Sequence, residues 1–143
     1  MDKKLNEQKK EYLAGYRTLY QKKQSLEEQL QSLREIGQSA KSQKLSDMPR
    51  GNEKKDLSDY IVKIDLLISR IESLRSDCMQ RRLHIENYIA ELENGVESAL
   101  LFKRYIEFKT WEQICEEINY SWMQTYRIHG KALKNLMIFD DIE

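Results

Sequence analysis

Thr110–Leu136 reads TWEQICEEINYSWMQTYRIHGKALKNL, and it breaks into two short amphipathic stretches on either side of Asn119-Tyr120. Thr110 and Ser121 stand where each stretch needs a side-chain oxygen to cap its first free amides. Asn119 stands where the chain must reverse, and asparagine is the residue after glycine that best tolerates left-handed backbone. The spacing predicts a helix over Trp111–Ile118, a tight turn, and a second helix starting at Trp122. At helical period, Thr125, Ile128, Ala132, Leu133 and Leu136 of that second helix face inward. Trp122, Met123, Gln124, Tyr126, Arg127, Lys131 and Lys134 are left near or on its outer face. No acidic residue interrupts the second helix. A short helical pair with a cationic outer face is a shape that the major groove of duplex DNA accepts.

That reading assigns roles by chemistry. Residues near the start of such a helix reach base edges, so Arg127 is expected at guanine, Gln124 at adenine, and Met123 or Trp122 against a thymine methyl. Lys131 and Lys134 are expected to neutralise phosphates, with His129 assisting. Lys109, Thr110 and Ser121 are expected at the DNA backbone, through side chains or helix-terminal amides. Residues 96–143 hold 6 basic and 8 acidic side chains, so the region as a whole is mildly acidic. This predicts modest affinity per chain and favours a dimer. It also supports an alternative, a protein-interaction module that binds another regulator without touching DNA.

Outward from this stretch, the N-terminal part carries an apolar residue every seven positions: Leu5, Tyr12, Leu19, Leu26 and Leu33. Such a narrow stripe marks a long helix with a coiled-coil seam, expected from Lys3 to Ile36. A loop is expected over 38–56, a Ser- and Lys-rich stretch with the only proline of the chain, Pro49. A second long helix follows, with Leu57, Ile61, Ile64, Ile68, Ile71, Cys78, Ile85, Ile89 and Leu92 on its stripe and Asp56 or Ser58 as a start cap. Asn94-Gly95 reads as its left-handed stop. The expected fold class is all-α, with a long helical hairpin over 1–93 and a small helix-turn-helix domain over 96–143. Neither stripe is stable alone in water, so the two helices are expected to pair, with a second chain closing the remaining surface.

Composition agrees with a helical protein: 34% of the 143 residues are charged and 40% hydrophobic, with five glycines and one proline. The 24 basic and 24 acidic residues cancel. No apolar run approaches the ~20 residues of a membrane span, and no signal peptide is recognisable, so the cytoplasm is the expected compartment. Cys78 and Cys115 form no metal or disulfide pattern. The carboxylate pairs Glu27-Glu28 and Glu116-Glu117 point apart on a helix, and no nucleotide loop or nucleophile motif occurs. No catalysis, cofactor or metal is expected. The lysine pairs at 3–4, 9–10 and 22–23 read as solvated faces.

From Thr110 onward the chain resembles region four of sigma factors, through Glu112, Ile114, Ser121, Thr125, Ile128 and Ala132-Leu133-Lys134-Asn135-Leu136 in unbroken register. Over its full length it is similar to a family of phage and prophage proteins of Gram-positive hosts. These share the loop motif Ser46-Asp47-Met48-Pro49-Arg50-Gly51 and the stretches around Leu101, Arg104-Tyr105-Ile106 and Lys109-Thr110-Trp111-Glu112. They are related to phage late-transcription regulators of the ArpU and RinA kind. The resemblance implies a phage-encoded regulator of transcription that binds double-stranded DNA and contacts host RNA polymerase. Trp122, Met123 and Tyr126 stand where sigma factors usually place charged residues. This implies a target other than an ordinary promoter element.

Overall fold

The computed structural model describes residues 2–43 and 51–138. It is all-helical, with no strand among the described residues. Helix α1 spans Asp2–Gln43, α2 Gly51–Ala90, α3 Gly95–Leu101, α4 Trp111–Ile118 and α5 Trp122–Asn135, and a π-helical turn over Phe102–Ile106 continues α3. Ser46–Arg50 of the expected loop motif and the tail 139–143 lie outside the described residues.

The loop expected over 38–56 is shorter than its composition suggests. Helix α1 continues through Gly37 to Gln43, and α2 already begins at Gly51. Asp56 and Ser58 therefore lie inside α2 and do not cap it. The cause at Gly37 is packing and not helix termination. Tyr60 Oη donates to the Leu33 carbonyl at 2.7 Å, which lays the phenol ring across the α1 backbone. A Cβ at position 37 would overlap the Tyr60 hydroxyl and ring. Glycine here admits a close neighbour, at the ordinary helix-propensity cost of about 1 kcal/mol.

The chain divides into two compact units, residues 1–19 with 78–143, and residues 20–77. The division does not fall at 93–96, because the first turns of α1 are bonded to α5. In the unit of residues 20–77, α1 and α2 run antiparallel, tied by the Tyr60–Leu33 bond and by an Arg75–Glu27 ion pair at 3.1 Å. Leu67 and Ile71 are buried there, while Ile36, Leu57, Ile61, Val62 and Leu66 stay exposed. The seam positions Leu57 and Ile61 are thus half open, at 49% and 50% exposure.

The other unit holds the larger core. Tyr12, Leu13 and Tyr16 of α1 and Cys78, Ile85 and Ile89 of α2 are buried, as are Leu100, Leu101, Tyr105, Ile106, Ile114, Ala132, Leu133 and Leu136. Arg81 lies over the Tyr12 ring at 4.4 Å and donates from Nη1 to the Tyr12 carbonyl at 2.9 Å. Asn94 does not end α2 in left-handed backbone. It has φ −81 and caps α3, its Oδ1 accepting from the amides of Val96 and Glu97. Glu97 is itself buried, and its carboxylate accepts from Asn135 Nδ2 at 3.1 and 3.2 Å, fixing α3 to the last turn of α5.

Lys9 departs from the solvated face expected of it: it is 6% exposed, and its Nζ donates to the carbonyls of Leu133 at 2.9 Å and Lys134 at 3.4 Å. A cation at the C-terminal carbonyls of a helix satisfies acceptors that have no intrahelical partner and meets the negative end of the helix dipole. Burial lowers the pKa of this ammonium from its ordinary value. One turn earlier, Asn6 Nδ2 donates to the Gly130 carbonyl at 3.4 Å.

Gly37→Ala is expected to lower stability by about 1–3 kcal/mol, because overlap with Tyr60 outweighs the gain in helix propensity. Urea unfolding measures this, and an alanine variant as stable as the parent would contradict the packing role.

Candidate nucleic-acid interface

The chain enters the helical pair through a strained corner. The π turn leaves the Glu107 amide donating to Phe102 O at 3.1 Å and the Lys109 amide donating to Lys103 O at 3.0 Å. Phe108 then adopts φ 60, left-handed backbone that a bulky residue rarely takes. Its ring is held by Tyr16, with centroids 5.4 Å apart, and by the Arg17 guanidinium at 5.5 Å. Arg104 supports the same corner: its guanidinium lies 4.7 Å from the Trp111 ring centre and Nη1 donates to the Lys109 carbonyl at 3.0 Å.

Both helices of the pair start with reciprocal capping boxes. Thr110 Oγ1 accepts from the Gln113 amide at 3.2 Å, and Gln113 Oε1 accepts from the Thr110 amide at 3.0 Å. Ser121 Oγ accepts from the Gln124 amide at 3.2 Å, and Gln124 Oε1 accepts from the Ser121 amide at 3.1 Å. Between them Asn119 takes φ 60 and ψ 42, the left-handed turn expected of it. Cys115 Sγ donates to Thr125 Oγ1 at 3.3 Å where α4 meets α5.

On α5, Thr125, Ala132, Leu133 and Leu136 are buried as expected, while Ile128 is only half-buried. His129 joins the buried set and is not available to phosphate. Its position is legible in the sequence, since it lies four residues after Thr125 and three before Ala132 on the same inner face. His129 Nε2 and Tyr105 Oη are hydrogen-bonded at 2.7 Å, and the imidazole meets the Trp111 ring edge-on with centroids 4.8 Å apart. Burial pushes the His129 pKa down to about 4, aided by the charges of Lys10 and Arg104. Burial likewise pushes the Tyr105 phenol up to about 12. The pair is therefore neutral near pH 7.

The outer face of α5 carries Trp122, Met123 and Tyr126 at 58%, 66% and 76% exposure. Gln124, Arg127, Lys131 and Lys134 are exposed beside them. Among the described residues, no carboxylate is ion-paired with Arg127, Lys131 or Lys134. Arg127 Nη2 instead donates to Met123 Sδ at 3.7 Å, one turn back along the helix. Gln124 and Ser121 spend their polar atoms on the cap, so a base contact from Gln124 falls to its amide nitrogen. Thr110 is similarly occupied.

Lys109 stands apart from the other expected contacts, because Glu117 and Glu107 neutralise it, with Nζ 2.5 and 3.7 Å from their carboxylates. Glu117 also pairs with Lys103 at 3.1 Å. The hydrogen bond that Lys109 donates to Glu117 raises the Lys109 pKa, and the same bond lowers that of Glu117. A phosphate would have to compete with that carboxylate. No group of three metal-ligating side chains converges among the described residues. No helix there is long and apolar enough to cross a membrane.

An all-helical protein with two long helices and a capped pair of short ones, the second with a cationic outer face, is thus the class of molecule at hand. A family model described as "Protein of unknown function (DUF1492)" matches residues 38–137, and the chain belongs to that family. The match takes in α2, α3, α4 and α5. No curated protein and no solved structure matches the chain significantly.

The His129 site predicts an acid limb of stability. Its folded pKa, about 4, lies below its ordinary 6.5, so the unfolded chain takes up the proton first. The contribution is fully present above pH ~6.5 and is lost as pH falls toward ~4, to an extent of about 3 kcal/mol. His129→Gln is expected to flatten that part of the stability–pH curve. Parallel curves for the two proteins across this window would contradict the assignment.

Proposed function

We propose that the protein is a phage-encoded transcription regulator that binds double-stranded DNA through α5, with α4 holding that helix at the groove. The observation that carries this is the outer face of α5. Three cations, Arg127, Lys131 and Lys134, stand without a carboxylate partner among the described residues, on a capped helix with no acidic residue, although its surroundings are acid-rich. Trp122, Met123 and Tyr126 at the start of that helix suit apolar contact with thymine methyls. The sigma-like register of Ser121, Thr125, Ile128 and Ala132-Leu133 supports the same reading. Exposed Ile36, Leu57, Ile61, Val62 and Leu66 support a homodimer formed through the helical hairpin, which would present two DNA-binding helices to a two-fold site. The protein acts in the cytoplasm of the bacterial host and uses no cofactor in this reading.

A second reading draws on the same apolar trio. Trp122, Met123 and Tyr126 form an exposed cluster of the kind that anchors protein interfaces, and host RNA polymerase is the partner the resemblance implies.

Selection of bound fragments from a phage genome by the purified protein gives the target duplex. On it, Arg127→Ala with Lys131→Ala is expected to weaken binding about tenfold or more, through one base contact and one phosphate contact, with the unfolding midpoint unchanged. Unaltered DNA affinity, or no enriched fragment together with nuclease-resistant capture of polymerase, would move the assignment to the protein-interaction module.

A further inference from the structure

Gly130 sits in the interior of α5, where glycine weakens a helix. Nothing in the protein's own packing calls for it. Its φ is not positive, and a Cβ built there meets no atom within 4 Å. Two other helix-interior glycines, Gly15 and Gly37, each have a side chain against the missing Cβ, Arg81 and Tyr60. At Gly130 the space is open. Its neighbours one turn away on the outward side are Arg127 and Lys134. From α1, Asn6 Nδ2 reaches the Gly130 carbonyl at 3.4 Å. Lys3 and Lys10 lie three residues before and four after Asn6, on the same flank of α1, and both are exposed. The charge of Lys10 is felt at His129, the residue before Gly130. Between Lys3 and Lys10 the one carboxylate is Glu7, with Asp2 and Glu11 just outside them in sequence.

We propose that Gly130 seats a phosphodiester of duplex DNA, gripped by Lys3 and Lys10 of α1 and by Lys134 of α5. The missing Cβ lets the sugar-phosphate backbone approach the helix closely, as glycine does wherever a ligand must meet the main chain. The seat rests on the reading of α5 as a DNA-binding helix and extends it. The N-terminal turns of α1 become part of the DNA footprint, and Asn6 and Lys9 hold them in place. The occupant is a DNA backbone and not an acidic protein surface, because a single Cβ-deep notch on a flank that carries exposed lysines fits a phosphate and offers no apolar anchor.

The test uses the full chain, the selected duplex and a non-specific duplex, with fluorescence anisotropy over a salt series. Gly130→Ala should melt at or above the parent's temperature and bind about tenfold more weakly. Lys3→Ala with Lys10→Ala should lower the slope of log affinity against log salt by about two, one for each phosphate no longer neutralised, on both duplexes. Lys22→Ala, in the unit of residues 20–77, should leave the slope as it is. If the Gly130 variant and the Lys3/Lys10 variant keep parental affinity and slope while Arg127→Ala with Lys131→Ala weakens binding, the seat is wrong and the reading of α5 stands. If the Arg127/Lys131 variant also binds normally, the reading beneath the seat is wrong. Weakened capture of polymerase with unchanged DNA binding would replace the phosphate with an acidic protein surface and overturn the proposal.

Discussion

The buried ammonium of Lys9 is the constraint on which the arrangement of the larger unit turns. A charge in that position is stabilised because the last carbonyls of α5 lack intrahelical partners and accept hydrogen bonds from it. The bond ties residues that are more than 120 positions apart, and with Asn6 it sets which side of α5 lies against α1. Glu97 completes the clamp from α3 by accepting from Asn135. With its C-terminal half held from two sides, α5 must turn Thr125, His129, Ala132 and Leu133 inward. Arg127, Lys131 and Lys134 are left facing solvent as a consequence of this packing.

Inner and outer faces of α5 solve opposite electrostatic problems. The inner face buries an imidazole, which is stable only when neutral and bonded; Tyr105 supplies the bond and the nearby cations suppress protonation. The outer face gathers positive charge without compensating acids, which is unfavourable for the isolated protein and favourable for one that meets a polyanion. Around the entrance to α4 the charges follow the other rule. Glu117 joins Lys103 and Lys109, so the cations there serve the fold. Among the described residues, positive charge near α4 and α5 thus includes Lys103 and Lys109, which are committed to carboxylates, and Arg127, Lys131 and Lys134, which are not.

Much of this is readable from the residues. The caps at Thr110 and Ser121, the left-handed Asn119 and the inner face of α5 follow from local chemistry, and each stands where spacing puts it. The misreadings have two causes, tertiary contact at Gly37 and Lys9 and local chemistry read the wrong way at Asn94 and His129. Gly37 looks like a helix end until Tyr60 is placed against it, and Asn94 looks like a stop although it caps the next helix. Lys9 looks like a surface lysine because its acceptors lie at the far end of the chain. His129 looks like a phosphate ligand by residue type, although its period already marks it as core. The π turn and the left-handed Phe108 carry no local signature, since the Tyr16 and Arg17 that hold the ring come from α1.

The central claim is that duplex DNA meets the outer face of α5. The most direct measurement is the perturbation of backbone amide resonances as a duplex is titrated into the isotope-labelled protein at low salt. The account predicts that the largest changes fall on residues 121–134 and on the first turns of α1, and that they fade as salt is raised. Changes confined to residues 20–77, or none at a ratio that saturates binding by anisotropy, would contradict it.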